Sequence, residues 1–387
     1  MNDSRFSDPS RRSRILSRIL VFDPPLLLLL LAFAFIGLLS LYSAGGGFDG
    51  RFADQLRNYG LAFAAMWLLA QFSPQTLMRL TIPFYLFGLL LLVGVELFGD
   101  ISKGAQRWLN LGVVRIQPSE MMKIAVPMMV AWYLHKHREN IRPFHFVVAG
   151  VLMLIPFGLI AHQPDLGTAL LVFAAGFFVL FFAGLSYRLL IPIFLVGAIG
   201  LTALLVLQDR LCTEGVDWVV LHQYQKNRVC TLLDPSSDPL GRGFHTIQSA
   251  IAVGSGGLLG KGFMQGTQTH LDFIPERTTD FIFAVYAEEF GLVGNALLLF
   301  LYLLFILRGL HIASNASTFF SRLLASALTM VFFVYVFVNV GMVTGILPVV
   351  GVPLPFMSYG GTALLTLGSA AGIMMGIQRH RNAMKKA

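Results

Sequence analysis

The stretch from Pro275 to Glu289 sets one carboxylate, Asp280, where a polar segment enters a long apolar run. Two more, Glu288 and Glu289, follow about two helical turns deeper. Charges inside a membrane-length segment are expensive and mark a buried partner or a chemical task. A carboxylate at such a boundary can take a proton from a hydroxyl that attacks a lipid-linked group. Glu288 falls about 80° around the helix from Asp280, so the two are not an obvious acid/base pair. Glu288 or Glu289 is expected instead as the buried partner of Lys123, in a structural ion pair.

A second chemically loaded stretch runs from Lys103 to Lys123 and includes Arg107, Trp108 and Glu120. Pro118 and Ser119 are helix-start residues, and Glu120 suits a first turn. Glu120 and Lys123 share a helix face. A local salt bridge accounts for Glu120. Lys123 leads into Ile124-Ala125-Val126-Pro127, so it needs a buried partner or a ligand. Trp108 fits two readings, a sugar-stacking platform or an interfacial anchor. Asp165, in Gln163-Pro164-Asp165-Leu166-Gly167-Thr168, reads as a turn residue capping the next helix.

These residues need elements to hold them, and composition says which. The 387 residues are 56% hydrophobic and 12% charged. Ten apolar runs recur: Pro25–Ala44, Tyr59–Gln71, Leu80–Leu97, Met121–Leu134, Phe146–Ala161, Thr168–Leu185, Leu189–Leu207, Phe281–Leu307, Leu323–Val343 and Ala363–Ile377. A backbone crossing lipid must satisfy its own polar groups, so these are expected as membrane helices. The fold class is an all-α integral membrane protein, with no separate soluble domain. Its long outer loop joins helices 7 and 8, and other outer loops are re-entrant. The first run follows a basic leader, but it is too long for a signal core and is expected to stay uncleaved.

Ten crossings put both termini on one side, which carries most of the 28 Lys and Arg and should be cytoplasmic. The expected organisation is a single polytopic domain, 1–387. It has a basic tail at 1–22, an extracytoplasmic loop at 208–280 and a cytoplasmic tail at 378–387. Ten of the remaining twelve cations gather in two outer stretches, Lys103–Lys123 and Arg210–Arg277. Either they hold an anionic ligand, or long outer loops simply escape the charge rule.

In the long outer segment, 245–253 suits a short amphipathic or re-entrant helix. Cys212 and Cys230 either pair in an oxidising compartment or stay separate thiols. The Gly-rich stretch 256–262 fails the nucleotide-loop pattern, because Gly262 stands where Ser or Thr should bind magnesium. It reads as a phosphate-holding backbone nest or a flexible turn. The uncharged Pro/Gly loop 345–361 is expected as a buried wall, since irregular backbone at membrane depth must be covered by protein.

In this order the motifs resemble the SEDS family of bacterial membrane proteins (shape, elongation, division and sporulation). They are Gly104-Ala105-Gln106-Arg107-Trp108-Leu109, Gln117-Pro118-Ser119-Glu120 with Lys123, Gln163–Thr168, Gly254–Leu258, Pro275-Glu276 through Ala284, Glu288–Gly291 and 345–361. They span nearly the whole chain. Gly266-Thr267-Gln268 with Phe273-Ile274-Pro275-Glu276-Arg277 is similar to the elongation branch rather than the division branch.

The resemblance implies ten membrane helices in the bacterial inner membrane and a peptidoglycan glycosyltransferase that polymerises lipid II. It further implies partnership with a class B penicillin-binding protein, a transpeptidase, and with other elongation-complex membrane proteins. Its essential aspartate falls on Asp280, its sensitive tryptophan on Trp108, and its Glu–Lys pair on Glu120 and Lys123. The expected roles are then Asp280 as general base, with Arg107, Lys123, Lys261, Glu276, Arg277 and Arg228 near the substrate. Asp165, Glu288 and Glu289 support them. Membrane lipids are expected neighbours and nucleic acid is not. Carboxylates beside a pyrophosphate leave room for magnesium or manganese, but no ligand set stands out. A lipid II transporter and a noncatalytic scaffold are the competing readings.

Overall fold

Small polar caps followed by proline start the helices where apolar runs alone would leave the first N–H groups unpaired. Asp23 accepts from Leu26 N at 3.2 Å and opens α1 (Pro24–Gly45). Ser73 accepts from Thr76 N at 3.1 Å and opens α3 (Pro74–Phe98). Between them lies α2 (Gly50–Leu69). The computed structural model describes residues 22–47, 50–102, 105–110, 112, 115–213, 223–235, 243–270 and 276–386. The expected basic tail at 1–22 lies almost wholly outside them. So do Lys103, Gly104, Arg242 and the motif residues Phe273, Ile274 and Pro275.

The fold is mostly helical, as expected, and the described residues between 100 and 116 add a small sheet to it. They form β1 (Asp100–Ser102), β2 (Ala105–Asn110) and β3 (Arg115–Ile116), an antiparallel sheet in the order β1-β2-β3. Next come α4 (Pro118–Lys136), α5 (Pro143–His162), α6 (Leu166–Phe182) and α7 (Tyr187–Val206). The segment expected as the long outer loop carries short helices among its described residues. It holds α8 (Gln208–Leu211), α9 (Gln223–Leu233), α10 (Phe244–Ser255) and α11 (Thr267–His270). α10 covers the helix expected at 245–253. Cys212 and Cys230 are disulfide-bonded, with Cα atoms 5.6 Å apart. The chain ends with α12 (Ile282–Ser314), α13 (Phe319–Val343) and α14 (Gly361–Lys386). Residues 378–386 of the expected tail continue α14.

The ten expected runs each fall on a helix. By length and composition alone seven described helices can cross a membrane, namely α1, α3, α5, α7, α12, α13 and α14. α4, α6, α12, α13 and α14 share one buried apolar core. α7 stays almost wholly exposed along its length. In lipid, helices gain little from apolar burial and associate through close packing of small residues. Gly368 and Gly372 on α14 do this against α2. A side-chain carbon on them would lie 2.7 Å from Ala62 O and 2.4 Å from Met66 O.

One expected span is broken. Gly291 takes φ 61°, ψ −161°, so α12 is two helices meeting at a kink. The Gly-rich stretch 256–262 splices it. Lys261 N and Gly262 N donate to Glu288 O and Glu289 O, both at 3.0 Å. Leu292 N and Val293 N donate to Gly257 O at 2.9 Å and Leu258 O at 3.0 Å. The stretch is therefore neither a flexible turn nor a phosphate nest. At least two of its N–H groups are spent on a neighbouring backbone.

The splice yields a prediction. Gly260 sits at φ +80°, and an added Cβ would lie 2.0 Å from Glu289 O. Gly260→Ala should destabilise the protein by more than about 2 kcal/mol, from backbone strain plus a backbone clash. Unfolding in mixed micelles measures this, and an unchanged midpoint would refute the splice as a structural necessity.

Candidate functional site

Asp280 closes a turn, Glu276–Phe281, that delivers the chain into α12. Phe281 N and Thr279 N both donate to Glu276 O, at 3.3 and 3.0 Å. Glu276 itself adopts φ 51°, unusual for a residue with a side chain. The α12 cap position is Phe281 and carries no side-chain cap bond. Asp280 therefore does not act as the helix cap. Its partly buried carboxylate faces the loop 345–360, where a side-chain carbon on Gly351 would lie 3.3 Å from Oδ2. Gly351 also has φ +76°. Glycine is required there twice over, for conformation and for room.

The loop 345–360 is fixed by long-range bonds. Tyr59 Oη donates to Phe356 O and Tyr302 Oη to Pro355 O, each at 2.6 Å. Gln55 Nε2 donates to Ser358 O at 3.0 Å. Asn339 Nδ2 donates to both Asp280 O (2.8 Å) and Val352 O (2.7 Å). Tyr359 N donates to Thr278 O at 2.9 Å and Ser358 Oγ to Thr279 O at 2.6 Å. The Asp280 turn and the loop are thus locked as one unit. An irregular buried backbone needs such satisfaction.

On the other side of this loop lies the second cluster. Asp165 caps α6, accepting from Thr168 N at 3.4 Å. It also accepts from Gln117 Nε2 at 3.2 Å and lies 3.7 Å from Arg107 Nε. Arg107 Nη2 donates to Pro164 O at 2.7 Å. One helical turn into α4, Lys123 Nζ donates to Glu120 Oε1 at 2.6 Å and to Tyr335 Oη at 2.5 Å. Lys123 is only 2% exposed. Its partner is therefore Glu120 with Tyr335, and the expected pairing with Glu288 or Glu289 is corrected. Helical geometry explains it, because three residues bring the two side chains together before any long-range partner is needed.

Two contacts join the clusters. A side-chain carbon on Gly167, two residues after Asp165, would lie 2.7 Å from Val350 O, and the next residue, Gly351, faces Asp280. Tyr335 and Asn339, one turn apart on α13, serve the Lys123 pair and the Asp280 turn respectively. Arg107, Glu120, Lys123 and Asp165 thus lie across one loop from Asp280, Glu276 and Arg277. Arg277 Nε donates to Ala44 O at 2.6 Å, which anchors it to the end of α1. Trp108, on β2, is half-buried.

Lys261, Glu288 and Glu289 form a different group. Glu288 Oε1 accepts from Lys261 Nζ (2.7 Å), Thr267 Oγ1 (3.1 Å) and Gln268 N (3.1 Å). Lys261 also donates to Thr267 at 2.8 Å. Ser43 Oγ donates to Glu289 Oε1. This buried network holds α11 and the end of α1 against the kink in α12.

Sequence reasoning missed Gln55, Tyr59, Tyr302, Tyr335 and Asn339. The signal available was an Asn and a Tyr at i, i+4 within an apolar run, Tyr335 and Asn339. His245 was missed as well. Its ring stacks on Phe281 with centroids 5.7 Å apart, and its Nδ1 is buried without a hydrogen-bond partner among the described residues. Burial lowers the His245 pKa, and the Glu276 charge opposes this. Between the lowered folded value and about 6.5 the unfolded chain binds more protons. Stability should therefore fall as pH drops below about 6.5. His245→Gln should weaken that acid loss, measured as the unfolding midpoint on either side of this pH. An identical pH dependence in the variant would refute it.

A family model described as cell cycle protein, FtsW, RodA and SpoVE, matches residues 23–383. The chain is 50% identical over 366 residues to the peptidoglycan glycosyltransferase MrdB of Escherichia coli K12, covering 94% of this chain and 95% of that one. It is 34% identical to the peptidoglycan glycosyltransferase RodA of Treponema pallidum, over 92% of this chain and 97% of that one. Among solved structures it is similar to a chain from a peptidoglycan synthase complex coordinating polymerization and crosslinking. That match has TM-score 0.76 and 35% identity, over 94% of this chain and 99% of that one. It is also similar to the rod shape determining protein RodA of Thermus thermophilus, with TM-score 0.68 and 30% identity, over 94% and 98% of the two chains.

Proposed function

The chain belongs to the SEDS family, the cell cycle proteins FtsW, RodA and SpoVE, and from that premise we propose how its residues polymerise glycan. It is an integral membrane protein and a peptidoglycan glycosyltransferase of the elongation kind. The substrate is lipid II, a disaccharide-pentapeptide on undecaprenyl pyrophosphate. The sugar hydroxyl of one substrate attacks the anomeric carbon of the other. A β-1,4 C–O bond forms, the C–O bond to pyrophosphate breaks, and undecaprenyl pyrophosphate leaves. The hydroxyl proton passes to the Asp280 carboxylate. One base suffices, because displacement of an α-linked pyrophosphate inverts the carbon once.

The observation that carries this reading is the setting of Asp280. Its carboxylate is spared from helix capping, and its turn is locked by backbone bonds to the loop 345–360. A base held in place needs no reorganisation as the proton moves. The leaving pyrophosphate needs positive charge rather than a general acid. Arg107 and Arg277 are the cations best placed for it, with Trp108 stacking on a sugar and Glu276 at the rim. Lys123 acts by holding α4 and α13 together, and Lys261 by anchoring Glu288. Among the described residues no group of three His, Cys, Asp or Glu side chains is disposed to hold a metal ion.

We further propose that all ten long helices cross the membrane with both termini cytoplasmic. The exposed α7 and the outer segment would then face lipid II and a class B penicillin-binding protein. The name of the similar synthase complex, which couples polymerization to crosslinking, supports such a partner. Purified protein, with and without its cognate transpeptidase, should convert labelled lipid II into a ladder of glycan on a gel. Lipid II crossing vesicle membranes without polymer would make the chain a transporter, and neither result would make it a scaffold.

A further inference from the structure

At the far end of α4 from Lys123, about 20 Å along the helix axis, a cavity of about 750 Å³ opens between the end of α4 and the start of α5. Lys136, Arg138 and Arg142 line it, with His137 and His145, and Glu139 is the carboxylate on its rim. The three long cations are exposed, and no ion pair among the described residues engages any of them. The two imidazoles are stacked, with centroids 4.4 Å apart and planes 24° from parallel. Tyr133 fixes both rings. His137 Nδ1 donates to Tyr133 O at 2.9 Å, and Tyr133 Oη is hydrogen-bonded to His145 Nδ1 at 3.1 Å.

We propose that this cavity binds the phosphodiester headgroup of an anionic membrane lipid. Three cations converging on one space repel each other, and an anion there relieves that repulsion. The volume suits a headgroup rather than a bare ion. The depth suits one too. The cavity lies in the first turn of α5, one of the helices apolar enough to cross a membrane. Aromatic side chains flank it in the manner of a membrane interface. Phe144 is 67% exposed, and Lys136 Nζ lies 5.4 Å from the centre of the Trp132 ring. Cations clustered beside a membrane helix attract anionic lipid. On the topology proposed above, the site lies at the opposite membrane surface from Asp280 and is independent of the reaction there.

The test is calorimetric titration of the purified full chain in neutral detergent. The probes are dioctanoyl phosphatidylglycerol, dioctanoyl phosphatidylcholine and inorganic phosphate. Phosphatidylglycerol should bind and phosphatidylcholine should not. Lys136→Gln, Arg138→Gln and Arg142→Gln combined should weaken phosphatidylglycerol on the order of 100-fold, from three charges each worth about fivefold. All three side chains are exposed, so the variant should keep its unfolding midpoint. Arg188→Gln, at the start of α7, should leave the affinity unchanged, and Arg142→Glu alone should reduce it. Equal affinity for both lipids, or an affinity the triple substitution does not change, overturns the proposal. Inorganic phosphate binding as tightly as phosphatidylglycerol overturns the lipid assignment in favour of a soluble anion.

Discussion

Lys123→Met should destabilise the protein by about 3–5 kcal/mol, the cost of leaving a buried charge without its partner. The lysine sits between Glu120 and Tyr335, bonded to both and almost without exposure. Methionine fills similar volume but cannot donate, so Glu120 must either stay charged in an apolar setting or take up a proton. The pair itself adds little net stability, because burying two charges costs nearly what their attraction returns. This gives the prediction a second arm. Combining Glu120→Gln with Lys123→Met removes both charges and should recover at least half of the loss. Unfolding in mixed micelles measures the two variants. A single substitution costing under about 1 kcal/mol, typical of exposed pairs, would show that Lys123 is not held in this way.

The same pair shows what was legible in the chain and what was not. Local chemistry was readable. The helix start at Pro118, the Asp165 cap and the short helix over 245–253 each depend on neighbours a few residues away. Glu120 and Lys123 were seen to share a face, yet a distant carboxylate was expected to pair with the lysine. Tyr335, its second partner, lies on another helix and is hidden in an apolar run. The break at Gly291 was hidden for a like reason. A glycine in a run long enough to cross the membrane looks ordinary until the stretch 256–262 is seen to take the carbonyls it frees. The strands over 100–116 are too short for alternation to distinguish them from a polar loop. The fixings of the loop 345–360 come from Gln55, Tyr59, Tyr302 and Asn339, far away in sequence. The loop's lack of charge revealed that it is buried, but not what holds it.

Asp280→Asn carries the largest expected effect on activity. Asparagine keeps the size of the side chain and can sit beside Gly351 without new contacts. It cannot accept the proton of the attacking hydroxyl. A positioned base contributes about 10²–10⁴ in rate, so kcat should fall by that factor while KM changes little. The fold should survive, because asparagine leaves the backbone bonds at Asp280 O, Thr278 O and Thr279 O in place. Asp280→Glu separates the base from its surroundings. It keeps the chemistry but pushes a longer side chain toward Gly351, and should retain more activity than asparagine and less than the native residue.

The most direct measurement places native protein and Asp280→Asn side by side with labelled lipid II and the cognate transpeptidase, and follows glycan length on a gel over time. The unfolding midpoint of each is checked first. A ladder from the native protein, with none or a trace from a folded Asp280→Asn, is the predicted result. A folded Asp280→Asn that lengthens glycan at near the native rate would contradict the assignment of the base.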